Sequence, residues 1–228
     1  MIPLKDDTPS TLKPYVTISL IVTCCAVFLW QRSLGSGGER RVIDALGAIP
    51  AVLLTDARLP VELRWIPRYG SLFTSMFLHG GWLHLLGNML YLWIYGDNVE
   101  DCMGHARYLL FYVLCGAAAI FAQALSEPQS AYPIIGASGA ISGVLGAYLL
   151  LFPRAKVLTL VLLPFFFTTL RLPAMLLLLL WFAVQLVSDL AAPDGGASVA
   201  FRAHIGGFLA GMLLIPVLKR RDAPLFAR

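Results

Sequence analysis

Six apolar stretches divide this chain, and little lies outside them that could fold by itself. They are Tyr15–Trp30, Leu72–Tyr95, Tyr108–Leu125, Ile134–Phe152, Pro173–Leu190 and His204–Leu218, each near the length a bilayer requires. Lipid offers no partner for backbone N–H and C=O groups, so spans of this kind are helices. Composition agrees: 58% of the 228 residues are hydrophobic and 13% charged, where soluble domains carry about 25% charged residues. The expected fold is an all-α polytopic membrane protein with six transmembrane helices. A further apolar segment, Val157–Leu170, contains Pro164 and is followed by Arg171. It is expected to be a re-entrant or interfacial piece leading into the fifth span. The expected organisation is a short tail over 1–14, a six-helix domain over 15–218 and a basic tail over 219–228, disordered from Asp222 onward.

The net charge of +4 does not point to nucleic acid, because the basic residues fall between the spans, as topology signals do. Lys5 and Lys13 precede the first span, Arg154 and Lys156 follow the fourth, and Lys219, Arg220 and Arg221 follow the last. With six spans these lie on one side, so both termini are expected in the cytoplasm. The first loop, Gln31 to Tyr69, opposes the rule with Arg32, Arg40, Arg41, Arg58, Arg64 and Arg68. Residues 1–13 are too polar and acidic for a transit peptide, and Tyr15–Trp30 lacks a cleavage signal and reads as a retained span. The short tails point to a prokaryotic plasma membrane. Cys24, Cys25, Cys102 and Cys115 form no C-x-x-C and read as packing residues. No metal or organic cofactor is expected.

Polar groups inside the spans carry the chemistry. Gly136-Ala137-Ser138-Gly139-Ala140-Ile141-Ser142-Gly143 opens the fourth span, and the G-x-x-x-G of Gly139 and Gly143 is by itself a helix-packing motif. An intramembrane histidine or asparagine is a functional hypothesis by default. His84 and Asn88, four residues apart, share a helix face, and His204 heads the sixth span. Counted from the charges at the cytoplasmic ends, Ser138, His204 and His84 lie 16, 15 and 13 residues in, or about 24, 22 and 20 Å of helix. Three polar side chains on three spans thus reach one level. A serine hydroxyl becomes a nucleophile when a base takes its proton, and His204 is the candidate base. His84, Asn88 and the Ser138 backbone N–H are the candidate oxyanion donors. His204, Gly207 and Gly211 lie on one face, where the glycines let the sixth span press against Gly139, Gly143 and Gly146.

Together, Gly136-Ala137-Ser138-Gly139, Ala203-His204-Ile205-Gly206-Gly207 with Gly211, and His79-x4-His84-x3-Asn88 resemble the rhomboid intramembrane serine proteases. The similarity runs from about Phe73 to Leu218. It implies a six-helix core, a Ser138–His204 dyad with no acidic third member, and an oxyanion site involving His84 and Asn88. The implied reaction is hydrolysis of a peptide bond in or near a substrate's transmembrane segment through an acyl-enzyme. The implied partners are transmembrane protein substrates and the bilayer. Glu100 with Gly104 matches the family's Glu-x-x-x-Gly, a structural feature of the second loop, and His79 a position that supports the first. Two family positions differ: an aromatic-Arg pair is replaced by Gly70-Ser71, and a tyrosine that stacks on the catalytic histidine is replaced by Ser142. No residue is therefore identified that orients the His204 ring. Asp189 reads as a solvated helix-end charge rather than a third triad member. Alternative readings are a catalytically inactive, client-binding relative, expected to lack Ser138 or His204, and a small transporter, expected to show paired repeats.

Overall fold

Helix α7 (Ser138–Leu151) lies at the centre, with every residue buried except Ser138 and Leu150. The computed structural model describes residues 1–162, 166–191 and 200–227. Against α7 pack α5 (Trp82–Met103), α6 (His105–Ser126), α8 (Ala174–Ala191) and α9 (Phe201–Leu218), and α1 (Tyr15–Ser33) packs against α5 and α6. Three short helices, α2 (Gly35–Leu46), α3 (Pro50–Leu54) and α4 (Ser71–Thr74), fold the first loop. Among the described residues four helices, α1, α6, α8 and α9, are long and apolar enough to cross a membrane. The 22 residues of α5 include Asp97, Glu100 and Asp101, and α7 has 14 residues. The chain is thus mostly helical, as a polytopic membrane protein should be.

Small residues decide the central packing. A Cβ on Gly207 would run into the carbonyl oxygen of Gly139, and one on Gly211 into that of Gly143. Both contacts advance four residues on each helix, so α7 and α9 are parallel and meet backbone to backbone. On the opposite flank, Gly139 faces Ala119 and Gly143 faces Cys115, which makes α6 antiparallel to α7. Dispersion and Cα–H···O contacts replace the hydrophobic drive that lipid cannot supply. All four cysteines are free, with Cys24 and Cys115 buried.

The second apolar stretch begins later than its hydropathy suggests. Residues Leu72–Phe77 lie in α4 and a single 3-10 turn, Gly80 and Gly81 break the chain, and α5 starts at Trp82 and continues through Asp97 and Glu100 to Met103. The second loop therefore shrinks to Gly104, whose positive φ of 78° turns the chain from α5 into α6. Glu100 is fully buried and caps α1: it accepts from the backbone N–H groups of Val16 (2.9 Å) and Thr17 (2.8 Å) and from the Thr17 hydroxyl (2.7 Å). His105 Nδ1 lies 2.6 Å from Glu100 Oε1, the oxygen that Val16 also engages. A carboxylate at the N-terminal turn meets free N–H donors and the positive end of the helix dipole.

An all-helical chain is not what forms. Strands β1 (Ile2–Asp6), β2 (Lys156–Leu162) and β3 (Phe167–Pro173) make an antiparallel sheet in the order β1-β2-β3. The segment expected to be re-entrant is thus largely two paired strands; Pro164 lies outside the described residues. Its β-branched and apolar residues place Val157 and Thr159 on the buried face. The end of the chain is ordered as well, contrary to expectation. Phe226 and Ala227 donate to the carbonyls of Leu150 (2.7 Å) and Leu151 (2.8 Å), satisfying groups that the end of α7 leaves unpaired.

Candidate active site

Each polar residue singled out from the spans sits in or near the first turn of its helix. Ser138 begins α7, His84 is the third residue of α5 and His204 the fourth of α9. Rings about three turns further on, Tyr95 of α5 and Tyr148 of α7, meet at 4.9 Å, so α5 also runs parallel to α7. The three helices open at the same end. Between them lies a cavity of about 1200 Å³, lined by Ser138, His204, His84 and Asn88 together with Trp181 and Ile141.

The Ser138 hydroxyl lies 2.8 Å from His204 Nε2, within hydrogen-bond reach. Backbone contact between Gly139, next to Ser138, and Gly207, one turn from His204, brings the two helices near enough for these short side chains to meet. Gly136 precedes the helix with φ +114°, a conformation open to glycine, and its N–H donates to the Ser75 carbonyl at 2.9 Å. A Cβ there would lie 2.6 Å from His84 Nε2 and 3.7 Å from Asn88 Nδ2. The missing side chain therefore lets α5 carry both residues up to the start of α7. The Gly80 N–H points at His84 Nδ1 (3.4 Å), which leaves Nε2 as the ring's proton-bearing nitrogen, facing Gly136. Among the described residues Asn88 Nδ2 is buried without a partner, a donor in want of an acceptor.

The supporting residues follow the same logic. His79 is fully buried; its N–H donates to Gln31 Oε1 (3.1 Å) and its carbonyl accepts from Gln31 Nε2 (3.3 Å), pinning the loop before α5 to α1. Its ring meets that of His84 edge-on at 5.1 Å. The first loop, which lacks the aromatic-Arg pair, is instead stapled to the α6–α7 connection by paired Ala48 and Ile134 and by Ala51 N–H to Ser130 O (3.0 Å). Asp189 is not a free solvated charge: Arg202 pairs with it at 2.9 Å. Ser142 turns its hydroxyl back to the Ser138 carbonyl at 2.7 Å.

One neighbour was not visible in the sequence. Gln185 of α8, 8% exposed, sets its Oε1 2.7 Å from His204 Nδ1. Trp181, one turn earlier, lies with its ring centroid 6.0 Å from that of His204. A single glutamine in a run of Leu and Val matches no motif. Only its position midway along an apolar helix could have drawn notice.

Comparison with known proteins follows the same residues. A family model described as Rhomboid domain matches residues 67–221, more than half of the chain. RHOMBOID-like protein 5 of Arabidopsis thaliana is 32% identical over 177 residues, 77% of this chain and 49% of that protein. Rhomboid protease GluP of Bacillus subtilis (strain 168) is 33% identical over 137 residues, 60% of this chain and 24% of that protein. Putative rhomboid protease YdcA of the same organism is 38% identical over 78 residues, 34% of this chain and 39% of that protein. The chain therefore spans half or less of the length of these curated relatives. By its helices, and by a family match that covers every site residue named above, this chain belongs to the rhomboid family of integral membrane proteins.

Proposed function

We propose that this protein is an intramembrane serine endopeptidase that cleaves membrane proteins in or near their transmembrane segments. The observation that carries the reading is the 2.8 Å approach of Ser138 Oγ to His204 Nε2 at the floor of an open cavity within apolar helices. Ser138 attacks the scissile carbonyl while His204 takes its proton, then returns it to the leaving amine. The developing oxyanion is met by Asn88 Nδ2, His84 Nε2 and the Ser138 N–H, one of the unpaired donors of the first turn of α7. Water hydrolyses the acyl-enzyme by the same route in reverse.

In this reading α1, α5, α6, α7, α8 and α9 are six spans of one domain over 15–218. The first turns of α5, α7 and α9 lie toward the extracytoplasmic side of a plasma membrane, and both termini lie in the cytoplasm. The 14 residues of α7 make about 21 Å of helix, short of the ~30 Å hydrocarbon core. Ser138 is then recessed below the outer surface, with the cavity bringing water to it.

Gel-based labelling of the detergent-purified protein with a fluorescent fluorophosphonate tests this, beside Ser138→Ala and His204→Ala. Wild type alone should label, and both variants should stay folded but silent. Persistent labelling of either variant would remove the Ser138–His204 assignment.

A further inference from the structure

We propose that Gln185 is the positioning residue of the pair, holding the His204 ring in the tautomer whose Nε2 is bare and faces Ser138. This rests on reading Ser138 and His204 as nucleophile and base. A neutral imidazole has one donor and one acceptor nitrogen. To take the serine proton Nε2 must be unprotonated, so Nδ1 carries the hydrogen and needs an acceptor in an apolar interior. Gln185 Oε1, 2.7 Å away, can only accept.

The geometry leaves no other group in that place among the described residues. Asp189 lies on the same face of α8, four residues on, but Arg202 engages it. The Ser142 hydroxyl is committed to the Ser138 carbonyl. From α5, His84 points its Nε2 at Gly136. Trp181, Gln185 and Asp189, spaced by four, form one stripe of α8 laid along α9, against His204 and Arg202. A neutral amide supplies the acceptor without the desolvation penalty that an ionised carboxylate carries in an apolar bundle. It also lends no charge to the imidazolium that forms, so its removal should matter less than the roughly 10⁴-fold effect of neutralising the Asp in a Ser-His-Asp triad.

Two variants separate the roles. Gln185→Leu removes the acceptor and keeps the bulk, whereas Gln185→Glu keeps an acceptor oxygen at the same reach. The readouts are the saturating rate and half-saturating concentration of fluorophosphonate labelling, and ¹⁵N spectra of histidine-labelled protein. The His204 signals are identified by their loss in His204→Ala. Wild-type His204 should be protonated at Nδ1 and bare at Nε2. In Gln185→Leu the two tautomers should mix, and the saturating rate should fall roughly 10–100-fold with the half-saturating concentration within about twofold. Gln185→Glu should restore most of the rate. Wild-type rates in Gln185→Leu, a wild-type proton on Nε2, or no recovery in Gln185→Glu would each overturn the proposal. Should Gln185→Leu fail to fold, the wild-type ring spectrum and Gln185→Glu still decide it. The spectrum does not depend on turnover: a protein that never labels, yet holds the Nδ1 proton, would discard the nucleophile and keep the positioning contact.

Discussion

Adding one carbon at Gly207 should disable the site by separating its two helices. The new Cβ of Gly207→Ala would overlap the Gly139 carbonyl oxygen, lie 3.0 Å from its carbon, and on the other side lie 3.3 Å from Ala119 Cβ. It is held between α7 and α6, so neither direction offers relief. Relieving the overlap with the Gly139 oxygen sets the shift, and restoring an ordinary contact there moves α9 outward by roughly 1 Å or more. His204 stands one turn away on the same face and travels with it. The 2.8 Å contact with Ser138 then stretches to about 3.8 Å or beyond, past a good hydrogen bond. A displacement of ~1 Å in a reacting pair costs about 10²-fold in rate, and overpacking costs about 1–3 kcal/mol in stability. Gly211→Ala is the control, since it overlaps Gly143 as severely but lies a further turn from His204. Fluorophosphonate labelling rates and thermal unfolding, measured on both, should show similar destabilisation and a much larger rate loss for Gly207→Ala. A Gly207→Ala protein that unfolds earlier yet labels within threefold of wild type would refute this coupling of helix spacing to the pair.

Other perturbations address different parts of the molecule. Asn88→Ala should lower the rate by roughly 10²–10³-fold if its amide meets the oxyanion, and a wild-type rate would reassign it to structure. Glu100→Ala strands the buried donors of Val16 and Thr17 and should lower unfolding free energy by about 2–3 kcal/mol in denaturant titration. Burial pushes the Asp6 carboxyl above its usual range, against the opposing hydrogen bonds from Tyr148 and Thr8. The fold therefore favours the protonated acid, and that stability is present at acid pH and lost as pH rises through the folded value. Asp6→Asn should match wild type in thermal unfolding near pH 4 and exceed it by a few degrees at pH 8. An unchanged gap across that range would exclude the linkage.

The helix-packing glycines were legible because small residues four apart state directly how near two backbones can come. Ser138, His84 and His204 stood out because polar groups in apolar spans need a reason. Where hydropathy averages over chemistry, the reading went astray. Lys156–Leu162 alternates too little to separate a strand from an apolar helix, and its partner β1 lies some 150 residues away. Leu72–Phe77 is apolar enough to extend a span, but Gly80 and Gly81 start α5 afresh at Trp82. The glutamine beside His204 belongs to no motif; its place midway along an apolar helix is the one sequence signal, and its partner is visible only in three dimensions.

The parallel seam of α7 and α9 also dictates when the site can exist during synthesis. Parallel neighbours cannot be joined by a tight turn; the chain must travel back through α8 before α9 can dock. Ser138 and His204 are 66 residues apart, which at roughly 5–20 residues per second leaves the serine without its base for about 3–13 s. Such long-range pairing is entropically late as well as chronologically late. On the proposed reading, a nascent chain that holds only α1, α5, α6 and α7 therefore lacks the base for Ser138, and the docking of α9 completes the site.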